Sequence, residues 1–468
     1  MKILEIAAGI EIEKQLKNNG MNANSIATKI NLFKRIVDLL TDQGTDTKQE
    51  AISLFVPGRL EVLGKHTDYA GGKSLVMAAD RGICLVAIPN KEKEIQIQGL
   101  STDKEVVINL ASVPDPEPGH WSNYPITVVR RLMMNFPGEI QGCRIVFSSD
   151  LPIAAGMSSS SALIIAVFMA LSKISHLHKN ERFSSNIRNL NDLAEYAATI
   201  ENGLSFRELK GEKGVGTFGG SEDHTAILNC HAGMVSEFSY CPIEFHQNIN
   251  ISDDYIFIVA ASGVKAKKTG NAMDKYNRVS LLVREIRRLW QEKTGSEEQS
   301  LQDILESTPD AKRILKKLIL ETQSELFSKE DLVDRLDHFI SENCKIIPKA
   351  VQALMKNDYR AFGEDVDLSQ KVAEKLLKNQ VPETTFLCDS ARKSGAVAAS
   401  AFGAGFGGSV WALIKNEEPE KFIQIWKSAY QKEFPEVAKE AGFFICRTGP
   451  AAFYLEKDAS YNALNNRL

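Results

Sequence analysis

The stretch from Cys143 to Leu171 constrains the fold of this chain most. It ends in ten consecutive apolar residues, Ala162–Leu171. That run is too short to span a bilayer and apolar on every face, so it reads as a helix buried inside a protein. Ahead of it, Cys143–Phe147 alternates apolar and polar residues, the pattern of a half-buried strand. Between the two lies a loop of small residues, Leu151–Leu163, LPIAAGMSSSSAL. A strand, a small-residue loop and a buried helix in that order demand a fold containing both sheets and helices.

The rest of the chain repeats the alternation. Residues 1–50 read as helical and polar, leading into a strand at Ile52–Val56. Ile83–Ile88 and Glu94–Gly99 read as strands, and Trp121–Asn135 and Leu190–Ile200 as helices. Arg207–Gly216 reads as an exposed loop. Beyond about residue 250 come the apolar strand Tyr255–Ala261 and a helix with Val279, Leu282, Val283, Ile286, Leu289 and Trp290 on one face. Pro309 stands near the start of another helix through Leu320, and Gly395–Ile414 returns to glycine and β-formers. The class is α/β or α+β, and periodicity does not choose between them. A length of 468 residues favours two or three domains.

A net charge of −4 leaves no electrostatic footprint for nucleic acid or an anionic membrane. The N-terminal stretch has acids among its apolar residues, so no signal peptide is expected. Seven scattered cysteines without a CxxC pair suggest free thiols in a reducing, cytoplasmic compartment.

The loop Leu151–Leu163 has the chemistry of a phosphate cradle. Backbone N–H groups at a helix N-terminus converge there with partial positive charge. Its serine hydroxyls can bond phosphate oxygens or ligate Mg²⁺, a hard ion that prefers oxygen. The alternative is a serine-rich helix cap. Gly71–Ser74 ends like a P-loop, but Thr67 stands where the first glycine would be required. Gly403–Gly408 satisfies GxGxxG, yet Ser409–Lys415 after it reads as a strand rather than a helix, so the dinucleotide reading fails.

Two polar clusters complete the candidates. Pro57–Tyr69 places Arg59, Lys65, His66, Thr67 and Asp68 in a glycine-punctuated turn after a strand, with donors and acceptors suited to sugar hydroxyls. Gly219–His224 offers Asp223. Three successive residues, Glu222, Asp223 and His224, cannot converge on one metal ion.

Pro57–Leu75, PGRLEVLGKHTDYAGGKSL, closely resembles the sugar-binding signature of galactokinases, in the GHMP kinase family. Leu151–Leu163 resembles that family's nucleotide loop, with Pro152, Gly156, Ser158, Ser159 and Ser160 matching and Ala154 where the first glycine is usual. Phe402–Ser409 resembles its third motif, with Gly405 and Gly407 on the nucleotide side. Gly219–His224 resembles the segment of the catalytic aspartate. There Asp223 takes that position, Gly220 matches a glycine whose backbone meets the sugar, and His224 replaces a usual glutamine. Tyr276 in DKYNR resembles a tyrosine lining the sugar site.

The resemblance implies two α+β lobes, 1–250 and 251–468, with the site in the cleft between them. It implies ATP- and Mg²⁺-dependent phosphorylation of a monosaccharide at its C1 hydroxyl, with Asp223 and Arg59 catalytic. Substrate contacts fall to Arg59, Lys65, His66, Asp68, Gly220, Asp223 and Tyr276, and Ser160 is the candidate Mg²⁺ ligand. Lys65 departs from the pattern, because galactokinases usually carry glutamate there, accepting from the C6 hydroxyl. Lysine has no acceptor. Its side chain swings to solvent, or pairs with a C6 carboxylate of a uronic acid, or marks another sugar. A catalytically silent sugar- and ATP-binding sensor is the alternative of a different class.

Overall fold

The computed structural model describes residues 1–102, 105–116, 120–152, 156–264 and 271–456. Its strands are β1 (Ile52–Leu63), β2 (Lys73–Pro89), β3 (Glu94–Gly99), β4 (Val106–Asn109), β5 (Cys143–Ser149), β6 (Met234–Ser239), β7 (Glu244–Asn250), β8 (Tyr255–Ala261), β9 (Ala398–Phe402), β10 (Ser409–Lys415), β11 (Gly442–Cys446) and β12 (Phe453–Tyr454). An eight-stranded sheet runs β12-β1-β2-β5-β3-β4, with β6 joining β2 to β7. A second sheet runs β11-β8-β10-β9 and is antiparallel throughout. The architecture is α+β, and the second sheet uses only strands after residue 250, while β12 returns to pair with β1.

Strands β1 and β2 of the large sheet are buried along nearly their whole length, so the side chains that alternate to opposite sides meet a core on each face. Leu54, Val56, Leu85, Ala87 and Ile145 join the core around the helix Ser159–Ile174. Phe55, Cys84, Val86, Ile88 and Val146 face a separate core made with the N-terminal helices. Those helices, Ile3–Ala8, Ile10–Asn18 and Ala23–Asp42, carry a buried stripe that includes Ile12, Leu16, Phe33, Ile36 and Leu40. The N-terminal segment is thus amphipathic and covers the sheet, rather than being a polar lead-in.

The first strand runs seven residues past the expected Val56, so Arg59 and Glu61 stand on β1 and not in a turn. A register shift between Pro57 and Arg59 accommodates the proline, which cannot donate to the ladder. The strands at Tyr255–Ala261 and Ser409–Lys415 and the buried helix after Ser158 lie where the sequence places them.

The motif-free region 282–347 is helical. Helices Asn271–Thr294, Leu301–Ser307, Ala311–Glu321 and Lys329–Ser341 share a core that includes Ala70 of the signature turn. This block fixes the turn's backbone from outside. Arg335 Nη2 donates to the carbonyl of His66 at 2.6 Å, and Gly64 N donates to Glu342 Oε1 at 3.0 Å. Among the described residues no helix is long and apolar enough to cross a membrane.

Candidate active site

A cavity of about 1170 Å³ opens between the two sheets and is lined from both halves of the chain. Strand β1 delivers Arg59 into it, and the first turn of the helix Glu222–Asn229 delivers Asp223. Arg59 Nε donates to Asp223 Oδ1 at 2.7 Å, and Nη1 donates to the carbonyl of Gly156 at 2.8 Å. One guanidinium therefore ties the acid to the phosphate loop. Burial alone would lower the pKa of Arg59, but Asp223, Glu222 and Glu61 outweigh it and push it up.

Asp68 stands in a short helical turn, Asp68–Ala70, and its Oδ2 accepts from the backbone N–H of Glu222 at 3.3 Å. Gly220 is required there, since an added Cβ would sit 2.4 Å from that oxygen. Burial raises the Asp68 pKa against the backbone bonds from Tyr69 and Glu222. Asp68 thus anchors the aspartate-bearing segment as well as facing the cavity.

His66 Nε2 lies 3.1 Å from the carbonyl of Ala404, so that nitrogen carries the proton and Nδ1 accepts from the Tyr69 hydroxyl at 2.9 Å. Burial lowers its pKa to about 4, leaving the ring neutral. Tyr276 lies with its ring 5.6 Å from that of His66. Its hydroxyl stays protonated, because burial and then Asp68 and Asp223 raise its pKa.

Ser158, Ser159 and Ser160 line the cavity with Pro152 and Gly156, at the N-terminus of the helix Ser159–Ile174. Ser158 has φ 56°, and its Oγ is buried without a hydrogen-bond partner among the described residues. Gly405 and Gly407 line the same cavity, and the glycine turn packs on the loop where a Cβ on Gly403 would meet the Gly156 carbonyl at 3.1 Å. Ala154 lies outside the described residues.

Lys65 is the exception. It is 1% exposed and does not line the cavity. Its Nζ donates to Ser400 Oγ at 2.7 Å and Ser369 Oγ at 3.2 Å. The expectations of a substrate contact and of a solvent-facing side chain are both overturned. The physical reason is that two buried hydroxyls and Glu342, which accepts from Ser369 at 2.9 Å, offer the ammonium a satisfied site behind the strand.

Glu61 and Glu201 escaped the sequence reading, while Glu222 and His224 were weighed there only as metal ligands and as a departure from the family's glutamine. All four face the cavity, and all are buried. Ser161 Oγ donates to Glu201 Oε2 at 2.8 Å and lies 3.4 Å from Asp223 Oδ2. His224 Nε2 is 3.4 Å from Glu201. An aromatic group also lines the cavity, with Trp121 beside His120 and Phe147 at ring separations of 6.0 and 5.9 Å. It suits a flat nucleobase. The only sequence signal was Trp121 itself, at the start of a helix.

The donor set fits Mg²⁺. No group of three His, Cys, Asp or Glu side chains among the described residues could hold a metal. Magnesium needs no such cage, because it keeps waters and binds through one or two protein oxygens plus substrate phosphates. The Ser160 hydroxyl and the Glu201 carboxylate supply that chemistry in the cavity wall.

Three family models match the chain: the GHMP kinases N terminal domain over residues 123–206, the GHMP kinases C terminal model over 350–432, and the galactokinase galactose-binding signature over 45–89. A galactokinase of Exiguobacterium sibiricum is 25% identical over 414 residues, covering 86% of this chain and 94% of its own. One from Fusobacterium nucleatum is 24% identical, covering 90% and 98%. The crystal structure of Lactococcus lactis galactokinase complexed with galactose superposes with a TM-score of 0.72 at 22% identity, covering 89% of this chain and 98% of that one. The Methanococcus jannaschii mevalonate kinase shares the fold at a TM-score of 0.50 and 17% identity, over 86% and 98%.

Proposed function

Because the chain is a galactokinase-like member of the GHMP kinases, we propose that it transfers the γ-phosphoryl group of ATP to the C1 hydroxyl of galactose or a close neutral relative. The observation that carries this reading is Arg59, bonded at once to Asp223 and to the phosphate loop at Gly156. Phosphoryl transfer relies on positioning and charge neutralisation more than on covalent chemistry, and this contact couples the two.

Asp223 accepts the proton of the C1 hydroxyl as that oxygen attacks the γ-phosphorus and ADP departs. Arg59 holds Asp223 in place and meets charge on the transferring group. Ser158, Ser159 and Ser160 and the helix N-terminus behind them receive the phosphates. The aromatic group at Trp121 takes the base, and Gly405 and Gly407 close the loop side. His66, Asp68, Gly220 and Tyr276 frame the sugar. Ser160 and Glu201 would hold Mg²⁺, which supplies charge neutralisation to the phosphates when bound.

The seven thiols are all unpaired, which supports a reducing cytoplasmic location. ADP release measured across galactose, galacturonate, glucose and galactosamine tests the activity and its specificity together. Galactose should give the highest kcat/KM, dependent on Mg²⁺. No ADP release with any sugar would point instead to a sensor that binds without turnover.

A further inference from the structure

Arg59 does not face Asp223 alone. Glu222 Oε1 stands 3.5 Å from its Nε, and Glu61 Oε2 stands 3.8 Å from its Nη2. Both glutamates are 4% exposed, and both line the cavity. Neither reaches Arg59 at hydrogen-bond distance in the way Asp223 does at 2.7 Å. Glu61 Oε1 is buried with no donor among the described residues. Three ionised carboxylates around one guanidinium, out of water, are not sustainable. Like charges in one desolvated site cannot all ionise, and one pKa rises strongly.

From this arrangement we propose that Glu61 and Glu222 hold one proton between them, and so position Arg59 as a cation that answers to Asp223. The shared proton gives the buried Glu61 oxygen its missing partner. It also removes one of the three negative charges that would otherwise surround the guanidinium, so less of its field is cancelled before the transferring phosphoryl group arrives. Both are positioning residues, acting through Arg59 on the reaction proposed above, and the inference rests on that reading for its kinetic consequence alone.

The surroundings agree. Burial raises both carboxyls, and for Glu222 the charge of Glu61 is the next cause. Arg59 and then Lys65 pull Glu61 the other way, and Arg59 does the same for Glu222. Asp68 and Asp223 add further negative charge beside Glu222. The remaining titratable neighbours, Tyr69, Tyr240 and Cys230, are buried groups with raised pKa values, so they bring no charge at neutral pH. With its pKa raised, the pair keeps its proton through the ordinary carboxylate range and loses it above. Loss places a third negative charge against Arg59 and against the incoming phosphates, so turnover falls on the alkaline side.

The test has two arms on the full chain. Infrared difference spectra between wild type and Glu222→Gln, and between wild type and Glu61→Gln, read the protonated carboxyl directly. A protonated-carboxyl band should be present in the wild type at neutral pH, titrate above the ordinary carboxylate range, and vanish in either variant. The pH profile of kcat in the wild type should show an alkaline limb at the same midpoint, and Glu222→Gln, neutral at every pH, should lack it. Two variants guard against one failing to fold. Absence of the band at neutral pH, or its survival in both variants, overturns the proposal. A band that titrates as described in a protein with no ADP release would sustain the shared proton and sink the kinase reading, so the two failures are distinguishable.

Discussion

Lys65 Nζ donates to Ser400 Oγ at 2.7 Å, which fixes the one charge-reversed residue of the sugar signature on the far side of the cavity wall. The ammonium is therefore not offered to a sugar carboxylate. Glu61, Asp68, Glu222 and Asp223 instead line the cavity near Arg59. A uronic acid should be repelled. Wild-type kcat/KM for galactose should exceed that for galacturonate by at least about tenfold, the scale of a lost charge-assisted contact. Lys65→Met should leave this ratio within about twofold and lower stability by about 1–3 kcal/mol, from the buried hydroxyls and Glu342 left without their cation. A ratio that swings toward galacturonate in the wild type would return Lys65 to the sugar site.

Asp223→Asn should leave the fold and sugar binding in place and cut turnover at least about a hundredfold, the scale for loss of a general base. The amide still accepts from Arg59, so the guanidinium keeps its place. Calorimetry of sugar binding beside kcat separates the two effects. Near-normal turnover in this variant would move the proton acceptor to another residue.

Gly156→Val should abolish ATP binding through the backbone rather than by simple crowding. Gly156 has φ 70°, and its added Cβ would meet the Phe402 carbonyl at 3.4 Å, an ordinary contact. The left-handed conformation itself disfavours valine by about 1–2 kcal/mol, and the loop can relieve that only by moving the carbonyl that holds Arg59. Titration with ATP checks it, and unchanged affinity would remove the loop from the nucleotide site.

His66 gives a pH signature in stability. Its folded pKa is about 4, lowered first by burial, against an ordinary value of 6.5. Between those values the unfolded chain binds a proton that the folded protein refuses. Stability therefore falls as the pH drops through this window, by about 1.4 kcal/mol per pH unit per proton. His66→Asn, which tolerates the positive φ of this position, should remove about one proton from the slope of unfolding free energy against pH. Urea unfolding from pH 7 down to pH 4 measures it. An identical slope in both proteins would mean the ring is charged in the fold.

Much of the fold was legible from local pattern. The strand, loop and buried helix of Cys143–Leu171 and the strands at Tyr255–Ala261 and Ser409–Lys415 follow from periodicity and apolar runs, which short-range sterics govern. Arg59, Asp223 and the serine loop were singled out by resemblance to a family's motifs, since residue type and spacing alone left a polar turn, a surface pair and a helix cap as readings. The sequence by itself determined which side chains were available and on which kind of element. Only the tertiary structure decided what they do together. Arg59 and Asp223 meet across 164 residues because sheet register and helix packing bring them there. Lys65 turns from the cavity because Ser369 and Ser400, from distant elements, satisfy its charge. Glu61 and Glu222 became a pair for the same reason, since a carboxyl's neighbours and its exclusion from water are properties of the packed molecule and of no local stretch of chain.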